Sequence, residues 1–318
     1  MKVTVVVRTY NRPEFLKEAL ASVELQTHKD WEVILFDDSA NDVNFGIYNT
    51  FKDKNPNNRV MYLTTKTSHE LFADSWILSI DLSKGDVMVR LDDDDILAED
   101  ALSFISKLYE DNNELDYTYG SCVKFDGNKL VELVETFSPN EIPKTTTAWL
   151  PYTIPNNNPW SEPNMFVQNF YPNPENYTSI IHCSKANIMC SYHTYTLRTK
   201  SLKGVKDKLN ITAKFADDLE VMGTLDYLGL GHTSIKKILS YVRVHTNDRI
   251  TDLNRRMDGL NIYDEIFLIR ARVEHLRPSG FVSKIVPISA DTNFNNGITN
   301  TLQNQFDIYY NRIKSYDN

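Results

Sequence analysis

Asp86-Val87-Met88-Val89-Arg90-Leu91-Asp92-Asp93-Asp94-Asp95 is the stretch on which the reading of this chain turns. A largely apolar run of strand-forming residues passes directly into four adjacent aspartates. Strands of a parallel sheet are buried on both faces, and ligand sites in such sheets lie outside the carboxyl ends of the strands. Four neighbouring carboxylates repel one another and raise one another's pKa, so the run calls for a cation. Oxygen ligands select a hard ion, Mg²⁺ or Mn²⁺ over Zn²⁺, which keeps water and borrows further ligands from phosphates. The plain alternative is a solvated acidic turn, and the position at a strand's carboxyl end favours the metal. An EF-hand loop fails on spacing, because Leu97 stands where that loop needs glycine.

Outward from this stretch the chain alternates between two periods. Val3 to Val7, Trp31 to Phe36 and Val60 to Leu63 read as buried strands. Pro13 opens a helical pattern carried by Phe15, Leu16, Ala19, Leu20 and Val23, and further helices are expected over Leu71 to Leu82 and about Glu99 to Tyr109. This alternation predicts βαβ units: an α/β fold with a Rossmann-like, mostly parallel sheet flanked by helices. Its carboxyl ends then carry Arg8 to Arg12, Asp37 to Ser39 and the aspartate run.

Beyond the first half the pattern changes. Eight of the 12 prolines lie between Pro139 and Pro174, interleaved with Trp149, Tyr152, Trp160, Phe166, Phe170 and Tyr171. Proline removes donors and fixes φ, so this segment is expected to be an ordered insertion over one face of the sheet. A helix over Leu219 to Leu228 and a strand over Ile238 to Val244 follow. Two amphipathic helices are expected to finish the chain, one with Leu260, Tyr263, Phe267 and Val273, the other with Leu302, Phe306, Tyr309 and Ile313. They would close the core or form a homodimer contact.

The 318 residues carry 34 basic and 43 acidic side chains, a net charge of −9, and 41% are hydrophobic. These proportions exclude a disordered or fibrous chain. The pI near 5.3 gives no global pull toward nucleic acid. Apolar runs are too short to span a bilayer, Met1 to Thr4 lead straight into a strand rather than a signal peptide, and 3 cysteines suit a reducing compartment. A cytoplasmic location is therefore expected.

Several residues at the expected strand ends can carry chemistry. Asp38 can accept hydrogen bonds from a base or ribose, or cap a turn. In Thr9-Tyr10-Asn11-Arg12 the aromatic could stack on a base, while the following helix could face phosphate. Asp217 and Asp218 open a helix; one serves as an ordinary cap, and the other could act as general base. His245 at a strand tip could be structural or could complete a metal site. His182, Cys183, Cys190 and His193 lack zinc spacing and read as core residues. No dinucleotide, P-loop lysine or nucleophile-elbow motif is present.

In their order along the chain these motifs resemble the family-2 inverting glycosyltransferases with the A-type nucleotide-sugar fold. The resemblance rests on Val5-Val6-Val7-Arg8-Thr9-Tyr10-Asn11-Arg12, on Val33 to Ser39 with Asp42, and on Gly85-Asp86 leading into Asp92-Asp93-Asp94-Asp95. It continues through Asp217-Asp218-Leu219-Glu220 and Tyr241-Val242-Arg243-Val244-His245. It implies a catalytic domain over 1–250, with a nucleotide-binding half (1–115) and an acceptor half (116–250) containing the insertion 137–180, then a helical extension over 251–318. It further implies that Thr9, Tyr10, Arg12, Asp38, Asp92 and Asp93 hold the donor, with Asp92 toward the ribose. Asp94 would bind Mn²⁺ or Mg²⁺ as the second acid of the D-x-D pair, with His245 beside it. Asp218 would be the catalytic base, with Asp217 as the other candidate where family members more often carry Glu. A UDP-sugar is the expected donor. The acceptor would be a glycan, a lipid-linked saccharide or a modified nucleic acid.

Two other readings compete. A nucleotidyltransferase would carry a glycine-rich basic loop after the first strand, and none is present. A non-catalytic carbohydrate- or nucleic-acid-binding protein has no need of Asp92, Asp94 and Asp218 together.

Overall fold

The computed structural model describes residues 1–39, 41–64, 71–134, 195–209, 211, 217–245, 284, 286, 288 and 298–316. The insertion 137–180, the His182–His193 group and the helix expected around Leu260 to Val273 lie outside them. The chain begins with β1 (Val3–Thr9), α1 (Pro13–Glu24), β2 (Trp31–Asp37), α2 (Phe45–Lys54), β3 (Val60–Thr64) and α3 (Leu71–Leu82). It continues through β4 (Val87–Asp92), the short β5 (Ile96–Leu97), α4 (Ala101–Asp111), β6 (Tyr117–Asp126) and β7 (Lys129–Val134). After the insertion come β8 (Tyr195–Arg198), α5 (Thr199–Val205), α6 (Asp217–Tyr227), β9 (His232–Arg243) and α7 (Asn300–Lys314).

The strands form one sheet in the order β3-β2-β1-β4-β8-β6-β9-β5, with β7 on β6. Its first half, β3 to β4, is parallel, as the alternation of strands and helices predicts. Its second half is mixed, since β8 runs antiparallel to β4 and β6 while β9 runs parallel to β6. β1 is built almost entirely of β-branched residues and is buried along its length, as a central parallel strand must be. Successive side chains point to opposite faces. Val3, Val5 and Val7 pack with Val33, Leu35, Val89 and Leu91 beneath α1, α4 and α7. Val6, Ile34, Phe36 and Met88 pack on the other face with Trp76, Ile80, Leu202, Val221 and Met222. The protein is thus a three-layer sandwich. α7 belongs to the first core, contributing Phe306, Tyr309, Tyr310 and Ile313.

Both ends of the parallel strands carry buried carboxylates. At the amino ends, Glu32 is fully buried on β2. It accepts from Thr4 Oγ1 at 2.7 Å, the Lys84 amide at 2.6 Å, the Gly85 amide at 3.2 Å and Arg59 at 3.0 Å. Gly85 is required for this approach, because a Cβ there would lie 2.5 Å from Thr4 Oγ1. Although burial alone would raise its pKa, these bonds hold the Glu32 carboxyl below the ordinary carboxylate range.

β5 matters most for the site. It pairs antiparallel with β9, Ile96 opposite Tyr241 and Leu97 opposite Ser240. The aspartate run is therefore a four-residue crossing from the end of β4 to the end of β9, closed by the Asp95 amide donating to the Asp92 carbonyl at 3.2 Å.

At the start of β9, His232 is fully buried and stacks on Tyr117 with ring centroids 4.9 Å apart. Burial pushes its pKa down to about 4 from 6.5. The folded state therefore favours neutral His232: this contribution is complete above pH 6.5, is lost as pH falls toward 4, and levels off below. The full loss amounts to about 3 kcal/mol for a shift of this size. Urea unfolding of wild type between pH 7 and pH 5 should show a falling midpoint that flattens in His232→Gln; an equal slope in both proteins would exclude His232 as the source.

Candidate active site at the carboxyl ends of the strands

The aspartates of the crossing turn do not share one environment. Asp93 points inward and is nearly fully buried. It accepts from Thr9 Oγ1 at 2.8 Å and from the Tyr10 amide at 3.3 Å. Asp94 takes Arg12 Nη1 at 2.5 Å and lies 2.8 Å from His245 Nε2, both on Oδ2. Arg12 also reaches Asp93 Oδ1 at 3.4 Å. Asp92 receives Arg90 Nε at 3.2 Å and is more exposed than Asp94. Burial, reinforced by Asp94, raises the Asp93 carboxyl above its usual range. Burial acts the same way on Asp94, but the His245 hydrogen bond and the Arg12 charge outweigh it and hold that carboxyl low. The turn therefore divides into one carboxyl that resists ionisation and one kept anionic.

The loop after β2 packs against the same end. The Asp38 amide donates to the Thr9 carbonyl at 3.0 Å, which sets this buried aspartate beside Tyr10. Asn44 fixes the loop by donating to Asp37 Oδ1 at 3.1 Å and Ser39 Oγ at 3.1 Å. Tyr62 adds a 2.6 Å bond to the other Asp37 oxygen. Ser39 Oγ in turn accepts the amide of Asn11 at 2.8 Å, and Asn11 adopts a positive φ of 51°.

Asp217 and Asp218 begin α6, where negative charge complements the helix dipole. Their side chains have different fates. Asp217 is buried and receives Arg8 Nη1 at 2.6 Å and Trp76 Nε1 at 2.6 Å, with Arg90 Nη1 at 3.5 Å. Burial raises its pKa against the pull of Arg90 and the indole. Asp218 is half-buried and acts through its charge on Arg90 and Tyr195. Arg90, beside the mutually stacked rings of Trp76 and Tyr195, thus joins Asp92 on the strand to Asp217 on the helix.

Thr9, Tyr10, Arg12, Asp38, Asp92, Asp93, Asp94 and His245 therefore gather at one end of the sheet, with Asp217 and Asp218 joined to them through Arg90. Among the described residues no group of three or more His, Cys, Asp and Glu side chains is arranged to hold a metal ion. The donor set that exists is one carboxylate and one imidazole, Asp94 and His245. It fits a divalent cation that completes its shell with water and phosphate oxygens, and not a closed protein cage.

A model of glycosyl transferase family 2 matches residues 4–184, more than half of the chain. The chain belongs to that family. Asp217, Asp218 and His245 lie beyond the matched segment. Over 147 residues the chain is 32% identical to an uncharacterized glycosyltransferase of Rickettsia felis, covering 45% of this chain and 23% of that one. Over 129 residues it is 30% identical to the GalNAc(5)-diNAcBac-PP-undecaprenol beta-1,3-glucosyltransferase of Campylobacter jejuni, covering 40% of each. These alignments span less than half of either relative's own length. Among solved structures, S. aureus TarS 1–349 in complex with UDP-GlcNAc is similar with a TM-score of 0.58 and 13% identity, covering 98% of this chain and 72% of that fragment. That likeness concerns the fold and agrees with the A-type expectation. No helix among the described residues is long and apolar enough to cross a membrane.

Reading the motifs of this family-2 member assigns no role to Arg8, Arg90 or Arg243, which stand within or beside them, and does not single out Trp76 or Asn44; these residues hold the motif residues in place. Arg8 and Arg90 carry their signal in the strand pattern. An arginine inside an otherwise apolar strand, as in Val5-Val6-Val7-Arg8 and Val87-Met88-Val89-Arg90, must find a carboxylate when buried.

Removing Asp217 would leave Arg8 and Arg90 facing each other without their shared counter-ion. Breaking a buried pair in this way costs ~3–5 kcal/mol. In chemical denaturation, Asp217→Ala should lose stability on that scale while Asp218→Ala stays within about 1 kcal/mol of wild type. Similar losses in both would mean that the cage around Asp217 does not hold the helix start.

Proposed function

We propose that this chain is an inverting, metal-dependent glycosyltransferase that moves a sugar from a nucleoside-diphosphate sugar, a UDP-sugar, to an acceptor hydroxyl on a glycan or lipid-linked saccharide. The observation that carries this reading is the convergence of Asp94, Arg12 and His245, contributed by the β4–β5 crossing, the α1 entry and the end of β9, at the carboxyl edge of a parallel sheet. The UDP-GlcNAc complex of TarS 1–349 and the undecaprenol-linked saccharide in the Campylobacter jejuni relative's name support the choice of donor and acceptor.

In this reading Tyr10 and Asp38 bind the base, and Asp92 binds the ribose. Asp94 and His245 hold the cation, and the imidazole favours Mn²⁺ over Mg²⁺. When bound, the cation supplies Lewis-acid stabilisation of the diphosphate leaving group. Arg12, bonded to Asp94 beside the proposed cation position, would offer a guanidinium to a phosphate oxygen of the donor. The acceptor oxygen attacks the anomeric carbon, its bond to that carbon forms as the bond to the diphosphate oxygen breaks, and the proton passes to Asp218. A single displacement inverts the configuration. Asp218 suits the role better than Asp217. The latter is clamped by two guanidiniums and an indole, whereas Asp218 is half-buried on the same helix start.

The test is release of free nucleoside diphosphate in the presence of acceptor. Asp218→Asn should retain donor binding and lose ~10²–10⁴-fold in kcat. Asp94→Ala should weaken Mn²⁺-dependent donor binding. Pyrophosphate as the product would indicate a nucleotidyltransferase, and donor binding without turnover would indicate a binding protein. Near-native kcat in Asp218→Asn would remove Asp218 as the base.

A further inference from the structure

Arg243, two residues before His245 at the end of β9, makes contacts that the proposed chemistry does not explain. Its side chain is nearly buried, with the guanidinium carbon 4.6 Å from the ring centroids of both Phe15 and Phe125. Its Nε donates to the Asp94 carbonyl at 3.2 Å, and its amide donates to Asp95 Oδ1 at 3.2 Å. The other two nitrogens reach away from the turn. Nη1 donates to the Tyr310 hydroxyl at 3.2 Å and Nη2 to Glu18 Oε2 at 2.5 Å. Tyr310 itself donates to that same Glu18 oxygen at 2.9 Å, and Lys314 pairs with Glu18 Oε1 at 2.6 Å.

One guanidinium therefore bonds the main chain of Asp94 at one end and α7 and α1 at the other. Its planar fork spreads these donors over three nitrogens and so spans from the turn to the helices, whereas an ammonium presents its donors from a single nitrogen. Phe15, which flanks this guanidinium, also meets the His245 ring edge-on at 5.4 Å. Both groups assigned to the cation thus rest on the same bracket.

We infer that Arg243 is a positioning residue for Asp94 and His245, and that α7, through Tyr310, is part of the scaffold that sets the cation and diphosphate site. The inference rests on the proposed donor site. Arg243 does not touch substrate; it acts by keeping the Asp94 backbone in place. Displacements of about 1 Å in such a group can cost 10²-fold in rate.

Three variants of the full chain separate this role from general stability. Arg243→Lys keeps the charge and loses the fork. Tyr310→Phe removes one hydroxyl and keeps the ring. Ile313→Val trims a buried aliphatic side chain on the same face of the same helix, one that can make no hydrogen bond to Arg243, and should lower Tm by a few degrees. Binding of UDP with Mn²⁺, measured by calorimetry, should weaken by about tenfold in Arg243→Lys and by about three- to tenfold in Tyr310→Phe. It should be unchanged in Ile313→Val. Hydrogen exchange of the segment spanning Leu91 to Ile96 should quicken in the first two variants and not in the third.

If binding falls in step with Tm across all three, Arg243 and Tyr310 are merely structural and the inference is overturned. Unchanged binding in Arg243→Lys and Tyr310→Phe overturns it as well. If wild type binds no UDP with Mn²⁺, the proposed donor site fails. Exchange in the turn then decides the bracket alone, with selective quickening supporting it and uniform change refuting it.

Discussion

A turn of carboxylates lodged at the buried end of a sheet is stable only if positive charge reaches it from inside the protein. Here the charge that reaches the carboxylates comes from three arginines on different elements: Arg8 on β1, Arg12 at the entry to α1 and Arg90 on β4. Each meets an aspartate of the turn or of α6. Arg243 on β9 bonds the Asp94 main-chain carbonyl while its charge pairs with Glu18. Desolvating so many ions is costly, and the cost is offset only where hydrogen bonds satisfy the remaining donors and lone pairs. The dense bonding around Asp93, Asp94 and Asp217 follows from that requirement. So does the route of the chain, since β5 must cross to β9 for Arg243 and His245 to arrive.

Arg90 ties the two sides of the site together. It contacts Asp92, on the side assigned to the donor, and Asp217, beside the carboxylate assigned to the acceptor. Arg8 reaches Asp217 from the neighbouring strand at 2.6 Å. A structural carboxylate and a half-buried one thus stand side by side at one helix start. The same residue type serves two environments, and burial with fixed partners separates them.

The legibility of the sequence follows the range of the interactions. β1, β2 and β4 could be read because their burial on both faces leaves largely apolar runs, β3 because its short stretch is apolar although only Val60 is fully buried, and α1 because Pro13 opens a regular apolar stripe. α2 is not evident, since only Tyr48 and Phe51 are buried on it. β6 and β8 are equally obscure. Their side chains are largely Tyr, Thr, Ser and Gly, which become core only when opposed to α6 and β9. The residues at the strand ends were recognisable from motif order, and they do assemble. The supporting residues were not, because Trp76, Asn44, Arg243 and Tyr310 acquire meaning from partners far along the chain that no local period encodes. The Pro- and aromatic-rich insertion lies outside the described residues.

The pairing of β5 with β9 has a consequence for the order of assembly. The parallel half of the sheet consists of neighbouring βαβ units and can organise as soon as the first hundred or so residues are available. The contact between Asp94 and His245 spans 151 positions, and the bond from Arg243 to Tyr310 adds another 67. Contacts of high sequence separation carry a larger loop-closure entropy and form late. During synthesis the acidic turn therefore emerges long before the groups that order it. The parallel scaffold can organise in advance of a finished site, so chains interrupted before α7 would lack the Tyr310 end of the bracket on Asp94.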